Sequence, residues 1–111
     1  MRIITAMIQP FMLNKVTSAL EAIEGFPGMT VTQARGFGRR RNRIEQQALQ
    51  IDEFKEKLRL EIVTPSNKVQ QIVETLVRAA HTGNDGDGKV FVWPVEDAIR
   101  IQTGETDEAA L

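Results

Sequence analysis

The stretch "KLRLEIVTP", Lys57 to Pro65, does most to limit what this chain can fold into. Leu58, Leu60 and Ile62 alternate with Arg59 and Glu61, the period-two pattern of a strand buried on one face. Pro65 closes the run because it has no N–H to give a ladder. The neighbouring segments supply partners. "MRIITAMIQP" sets Ile3 and Met7 against Ile4, Ala6 and Ile8 and stops at Pro10, which predicts a first strand. "NKVTSALEAIEG" places Val16, Ala19, Leu20 and Ile23 on one helical face, with Asn14 as the expected N-cap and Gly25 as the stop. "MTVTQARGFG" opens on β-branched residues and reads as a second strand. "SNKVQQIVETLVRAAHTG" gathers Val69, Ile72, Val73, Leu76, Val77 and Ala80 on one helical face, between Ser66 as cap and Gly83 as terminator. "KVFVWPV" is a further strand. "AIRIQT" reads as a short fifth strand before an acidic tail expected to be mobile.

The order β-α-β-β-α-β is that of an α+β, ferredoxin-like sandwich, an antiparallel sheet with two helices on one face, extended by the short C-terminal strand and tail. Its 111 residues suit one domain, 1–111, with a modest core. Val90 and Val92 alternate with Phe91 and Trp93, so the last long strand is apolar at both parities and both of its faces are expected to be covered. Helices on one side leave the other side of the sheet bare. The expected cover is another copy of the chain, hence a homo-oligomer.

Between the second and third strands the chain spends sixteen residues, Gly38 to Glu53, where a hairpin needs about two to five. The segment begins inside a cluster of five arginines from Arg35 to Arg43 and continues as an acidic, Gln-rich stretch with little to bury. Such an arm is expected to be mobile and to order on a partner or ligand. Two glycine-rich pieces carry the possible chemistry: "RGFGR" at the base of the arm and "TGNDGDGK", Thr82 to Lys89, between the second helix and the last strand. Glycines let backbone N–H groups approach a phosphate, and a following lysine is a typical phosphate partner. Arg100 offers another cation. Asp85 and Asp87 cut against an anion site unless they face outward or hold a metal. On spacing alone, "DGDGK" is also an ordinary turn at a helix–strand junction. Neither piece matches a P-loop or a dinucleotide fingerprint.

Other chemistry is thinly represented. There is no cysteine for disulfides or thiolate ligands, and His81 is the one histidine, read as a surface residue. Glu61 reads as one half of a cross-strand pair with a lysine. No nucleophile–base pair is visible, so an enzyme is the least favoured class. A net charge of −1 gives no global attraction to nucleic acid or membrane. The four arginines from Arg39 to Arg43, with no aromatic interleaved among them, make a weak nucleic-acid patch. No apolar run suits a signal peptide or membrane span, which points to a cytoplasmic protein without membrane insertion.

Taken in order, "MIQPF", "GMTVTQARGFGR", "KLRLEIVTP", "TGNDGDGKVFV" and "IRIQTGE" resemble the PII nitrogen-regulatory signal proteins over nearly the whole chain. The resemblance implies a non-enzymatic homotrimer that binds ATP or ADP, with AMP a further candidate, in clefts between subunits. Residues 39–54 would be its effector loop, contacting a membrane transporter or metabolic enzyme. Position by position, it implies that Gly36, Gly38 and Arg39 line the phosphate side and that Gly86, Asp87, Gly88 and Lys89 cradle the phosphates. Thr30 and Val63 would sit near the adenine, and Arg100, Ile101 and Gln102 would reach in from a neighbour.

The departures are chemical. Arg40 stands where the family has a Gln that helps hold magnesium and 2-oxoglutarate. A guanidinium has no free lone pair, which argues against magnesium-dependent 2-oxoglutarate sensing. Carboxylate binding stays open, because Lys57 matches the family's 2-oxoglutarate lysine and Arg40 is itself an anion partner. Gln102 replaces an arginine and removes one phosphate contact, which would weaken ATP relative to ADP or AMP. The loop has about two residues fewer than is usual in the family and no tyrosine or serine, so neither nucleotidylation of a tyrosine nor phosphorylation of a loop serine is available. A divergent sensor of a small anion, tied to metal efflux or inorganic-carbon transport, is the alternative to a role in nitrogen metabolism.

Overall fold

A computed structural model describes residues 1–38 and 54–111. The arm, with Arg39, Arg40 and the rest of the arginine cluster to Arg43, lies outside the described residues. Strand β1 (Arg2–Ile8) leads through a 3-10 turn at Pro10–Met12 into helix α1 (Leu13–Glu21). Strands β2 (Thr30–Gly36) and β3 (Lys55–Thr64) follow, then helix α2 (Val69–Ala80) and strand β4 (Gly88–Pro94). The sheet order is β2-β3-β1-β4, and all three pairings are antiparallel.

Register assigns the faces. Ile4, Ala6 and Ile8 pair with Ile62, Leu60 and Leu58 on one side and with Val92, Val90 and Gly88 on the other. These side chains face the helices. Ile4, Ala6, Leu60 and Ile62 are fully buried against Val16 and Leu20 of α1 and Ile72 and Leu76 of α2. The alternation of "KLRLEIVTP" therefore maps directly onto burial. The opposite face carries Ile3, Thr5 and Met7, Glu61 and Val63, and Phe91 and Trp93. Trp93 donates its indole N–H to Thr5 Oγ1 (3.2 Å). Phe91 and Trp93 remain half exposed, as does Val92 at the sheet edge. The cover expected for β4 is thus not supplied within one protomer.

Several local expectations are corrected. Asn14 does not cap α1, because Pro10 starts a 3-10 turn four residues earlier and leaves Asn14 inside the helix. Ser66 likewise begins a 3-10 turn, and its hydroxyl accepts from the Met1 amine (3.3 Å) instead of capping α2. Helix α2 ends at Ala80, three residues ahead of Gly83. Val77 is mostly exposed, while Thr75 and Ala79 are buried in its place. "AIRIQT" forms no strand. Ile99 makes one isolated bridge to Thr106, Arg100 N–H donates to Glu105 O (2.8 Å), and Gly104 N–H returns to Arg100 O (2.7 Å). The acidic tail is folded, with a 3-10 turn at Asp107–Ala110.

Candidate functional site

The glycine turn after α2 is built around one carboxylate. Asp87 Oδ2 accepts the amides of Thr82 (2.7 Å) and Gly83 (2.9 Å), and Oδ1 accepts the Thr82 hydroxyl. Thr82 Oγ1 in turn accepts the Asn84 amide (3.2 Å). His81 Nδ1 lies 3.8 Å from Asp87 Oδ2. Asp87 is therefore turned inward onto the turn's own donors, which stabilise its negative charge without cancelling it. Among the described contacts Asp87 organises the loop that carries Gly86, Gly88 and Lys89. The Thr82 hydroxyl, then the Thr82 amide, hold the Asp87 carboxyl below its ordinary value, with smaller help from Gly83 and His81 and against some desolvation. A lowered folded value means that the stabilisation is present above the ordinary carboxylate range and is lost as pH falls through the lowered value. We expect Thr82 and Gly83 amides to lose hydrogen-exchange protection only on strong acidification, and to lose it at neutral pH in Asp87→Ala. Protection unchanged in that variant would contradict the assignment.

Gly88 shows why a glycine stands where β4 begins. Its φ is +114°, and a Cβ there would lie 1.7 Å from the Met7 carbonyl oxygen. Gly86, at φ +90°, leaves its carbonyl to accept a hydrogen bond from Lys57 Nζ (2.5 Å). This contact ties the glycine turn to the start of β3 and so to the base of the arm. Gly36 pairs with Lys55, a Cβ on Gly36 would sit 3.5 Å from Lys57 Cγ, and the Phe37 and Phe54 rings meet at 5.5 Å across the arm's neck. Gly36, Gly38, Lys57 and Gly86 to Lys89 thus share one end of the sheet. Lys89 is exposed there.

The remaining candidates lie at the other end. Thr30 pairs with Glu61, and Val63 with Ile3, while Gly36 is six residues further along β2, about 20 Å away. Thr30, Glu61, Val63, Arg100, Ala110 and Leu111 line a hollow of about 300 Å³. Ile101 is fully exposed and Gln102 is exposed beside it on the turn that carries Arg100. One protomer therefore holds two separated sets, the glycine turn with the arm's base and the Thr30–Val63–Arg100 hollow. Glu61 and the Leu111 end were missed as parts of this hollow. Glu61 faces Thr5 and Thr30 across the strands, and its ionic neighbour is Arg59 (3.8 Å) in place of the expected lysine. Its parity, alternating with the buried Leu60 and Ile62 and so on the bare sheet face, was the available signal.

The fold is thus a ferredoxin-like α+β subunit with a long insertion at one end of its sheet and an uncovered apolar face. The model of the family described as Nitrogen regulatory protein P-II matches residues 1–105. The Haemophilus influenzae Nitrogen regulatory protein P-II is 46% identical over the full length of both chains. Nitrogen regulatory protein P-II 1 of Escherichia coli strain K12 is 45% identical, also over both full lengths. The crystal structure of Arabidopsis thaliana PII bound to citrate superposes with a TM-score of 0.82 at 39% identity, covering 99% of this chain and 91% of that one. The chain belongs to the P-II family of nitrogen-regulatory signal proteins, and it is a PII-like signal-transduction regulator, not an enzyme. Among the described residues no helix is long and apolar enough to cross a membrane.

Proposed function

We propose that this regulator works as a homotrimer that binds an adenine nucleotide between subunits and reports it through the arm that follows Gly38. The observation that carries the reading is the separation of the two residue sets along β2. Gly36, Gly86, Gly88 and Lys89 form a phosphate-side half, and Thr30, Val63 and Arg100 form a base-side half about 20 Å away in the same protomer. A second copy brings its base-side half to the first copy's glycine turn, and the bare face with Phe91 and Trp93 supplies the apolar surface for that assembly. The family resemblance assigns Arg39, which lies outside the described residues, to the phosphate contacts, and Ile101 and Gln102 to the approach made by Arg100. The Lys57–Gly86 contact offers the mechanical link: a phosphate that rearranges the turn also changes what holds the start of β3, next to the arm. The arm then meets a transporter or metabolic enzyme differently in each ligand state, since a ligand shifts an equilibrium only by its differential affinity.

A carboxylate is the second ligand to test. The Arabidopsis relative is described as bound to citrate, and the cations that the family resemblance offers a carboxylate here are Lys57 and Arg40, the latter outside the described residues. Arg40 makes a magnesium-independent contact the expected form. Calorimetric titration of the folded trimer with ATP, ADP and AMP tests the main reading, and 2-oxoglutarate or citrate with and without magnesium tests the second. Binding of ATP or ADP with a stoichiometry near one per chain is expected. No heat with any of the three nucleotides would contradict the proposal.

A further inference from the structure

The segment that follows Arg100 is folded onto the base-side hollow. The turn closed by Arg100 and Glu105 is extended by the Ile99–Thr106 bridge and by Asp107 N–H donating to Ala98 O (2.7 Å). The chain then enters the 3-10 turn through Asp107, the one non-glycine with positive φ (54°) among the described residues. That turn returns Leu111 to Arg100, whose Nη2 donates to the Leu111 main-chain oxygen (2.9 Å). Arg100 Nε faces Glu105 Oε1 at 4.0 Å, and Glu105 is held in place by the Thr103 hydroxyl (2.9 Å). Ala110 and Leu111 wall the same hollow as Thr30, Glu61 and Val63.

We propose that residues 105–111 form an intramolecular latch on the nucleotide site. In the latched state the Arg100 guanidinium is engaged by Leu111 and Glu105, and the tail takes up room that a bound base would need. Nucleotide binding releases Arg100 from the Leu111 main-chain oxygen and moves the tail aside. The latch is suited to opening, because its hinge, Asp107, sits in a backbone conformation that an L-residue adopts at some cost and its contacts are largely exposed. This inference rests on the nucleotide reading above and adds that the site regulates itself through its own C-terminal segment.

The test is ATP titration of the full chain, of a chain ending at Thr106, and of Asp107→Pro. Proline at 107 forbids the positive φ and removes the N–H given to Ala98, so it displaces the tail without deleting it. Both variants are expected to bind ATP more tightly, by about tenfold if the latch is closed in about nine molecules of ten, because apparent affinity scales with the competent fraction. Asp107→Gly keeps the N–H and relieves the backbone cost, so its affinity is expected to move the opposite way. Equal or weaker ATP binding by the shortened chain and Asp107→Pro, with native circular dichroism, overturns the latch and leaves the nucleotide reading standing. No ATP binding by any form overturns the nucleotide reading and the latch with it.

Discussion

Gly88→Ala is expected to lose at least about 3 kcal/mol of stability, and with it more than about 10 °C in Tm. The reason is backbone against backbone. The added Cβ would sit 1.7 Å from Met7 O and 2.8 Å from Met7 C, at a φ of +114° that L-residues avoid. No rotamer relieves such a clash, so the start of β4 must part from the end of β1. These two strands pair along the whole of β4, from Gly88 against Ile8 to Pro94 against Arg2. Gly38→Ala is the control, because a Cβ there meets nothing within 4 Å. Its stability is expected to stay within about 0.5 kcal/mol. Thermal unfolding of both variants by circular dichroism is the measurement, and a Gly88→Ala protein as stable as its parent would show that the close approach at Met7 is not present.

The largest functional effects are expected from Lys89→Ala and Arg100→Ala. Each removes a cation that the nucleotide reading places against phosphate; Lys89→Ala should weaken ATP about ten- to a hundredfold, the range for losing one charge-assisted hydrogen bond, and Arg100→Ala loses the same contact before any gain from unlatching is counted. Both side chains are exposed in the protomer, so neither change should disturb folding. The two losses have different structural origins. Lys89 stands beside the glycine turn at the arm's end of the sheet, and Arg100 stands by the hollow at the opposite end. If one nucleotide touches both, they come from different protomers. Arg100→Ala also breaks the contact to Leu111, so the predicted gain from unlatching offsets part of its loss.

Much of the fold was legible because its signals were local and mutually consistent. The alternation of Leu58, Leu60 and Ile62 identified the buried face of β3, and the doubled apolar parity of Val90 to Trp93 marked a strand whose second face one protomer does not cover. The segment after Ala98 was misread because β-propensity is a weak preference that tertiary contacts override. Gly104 at φ +77° reverses the chain there, and the Arg100–Glu105 and Asp107–Ala98 bonds satisfy the backbone without a ladder. Helix starts were misplaced for a related reason. Pro10 and Pro65 each introduce a 3-10 turn, which places the start of α1 ahead of Asn14 and the start of α2 beyond Ser66.

At the site, residue types were readable and their partners were not. "TGNDGDGK" was readable as a glycine turn, but its aspartate pointing inward to Thr82 and Gly83 depends on a fold-back that spacing does not encode. The link from Lys57 to the Gly86 carbonyl joins residues 29 positions apart, and the contact of Arg100 with Leu111 depends on a tail that looked unstructured. Glu61 entered the base-side hollow only once the register set it beside Thr30.

The central claim, a site shared between subunits, is most directly tested by mixing the two weak binders. Lys89→Ala and Arg100→Ala chains, unfolded together, reassembled at random and titrated with ATP, should regain near-native affinity at about a quarter of the sites. Those are the clefts where an intact Lys89 from one subunit meets an intact Arg100 from its neighbour. Each variant assembled alone should show none. Recovery of that fraction is the expected result; mixed trimers that bind ATP no better than either parent would contradict a shared site.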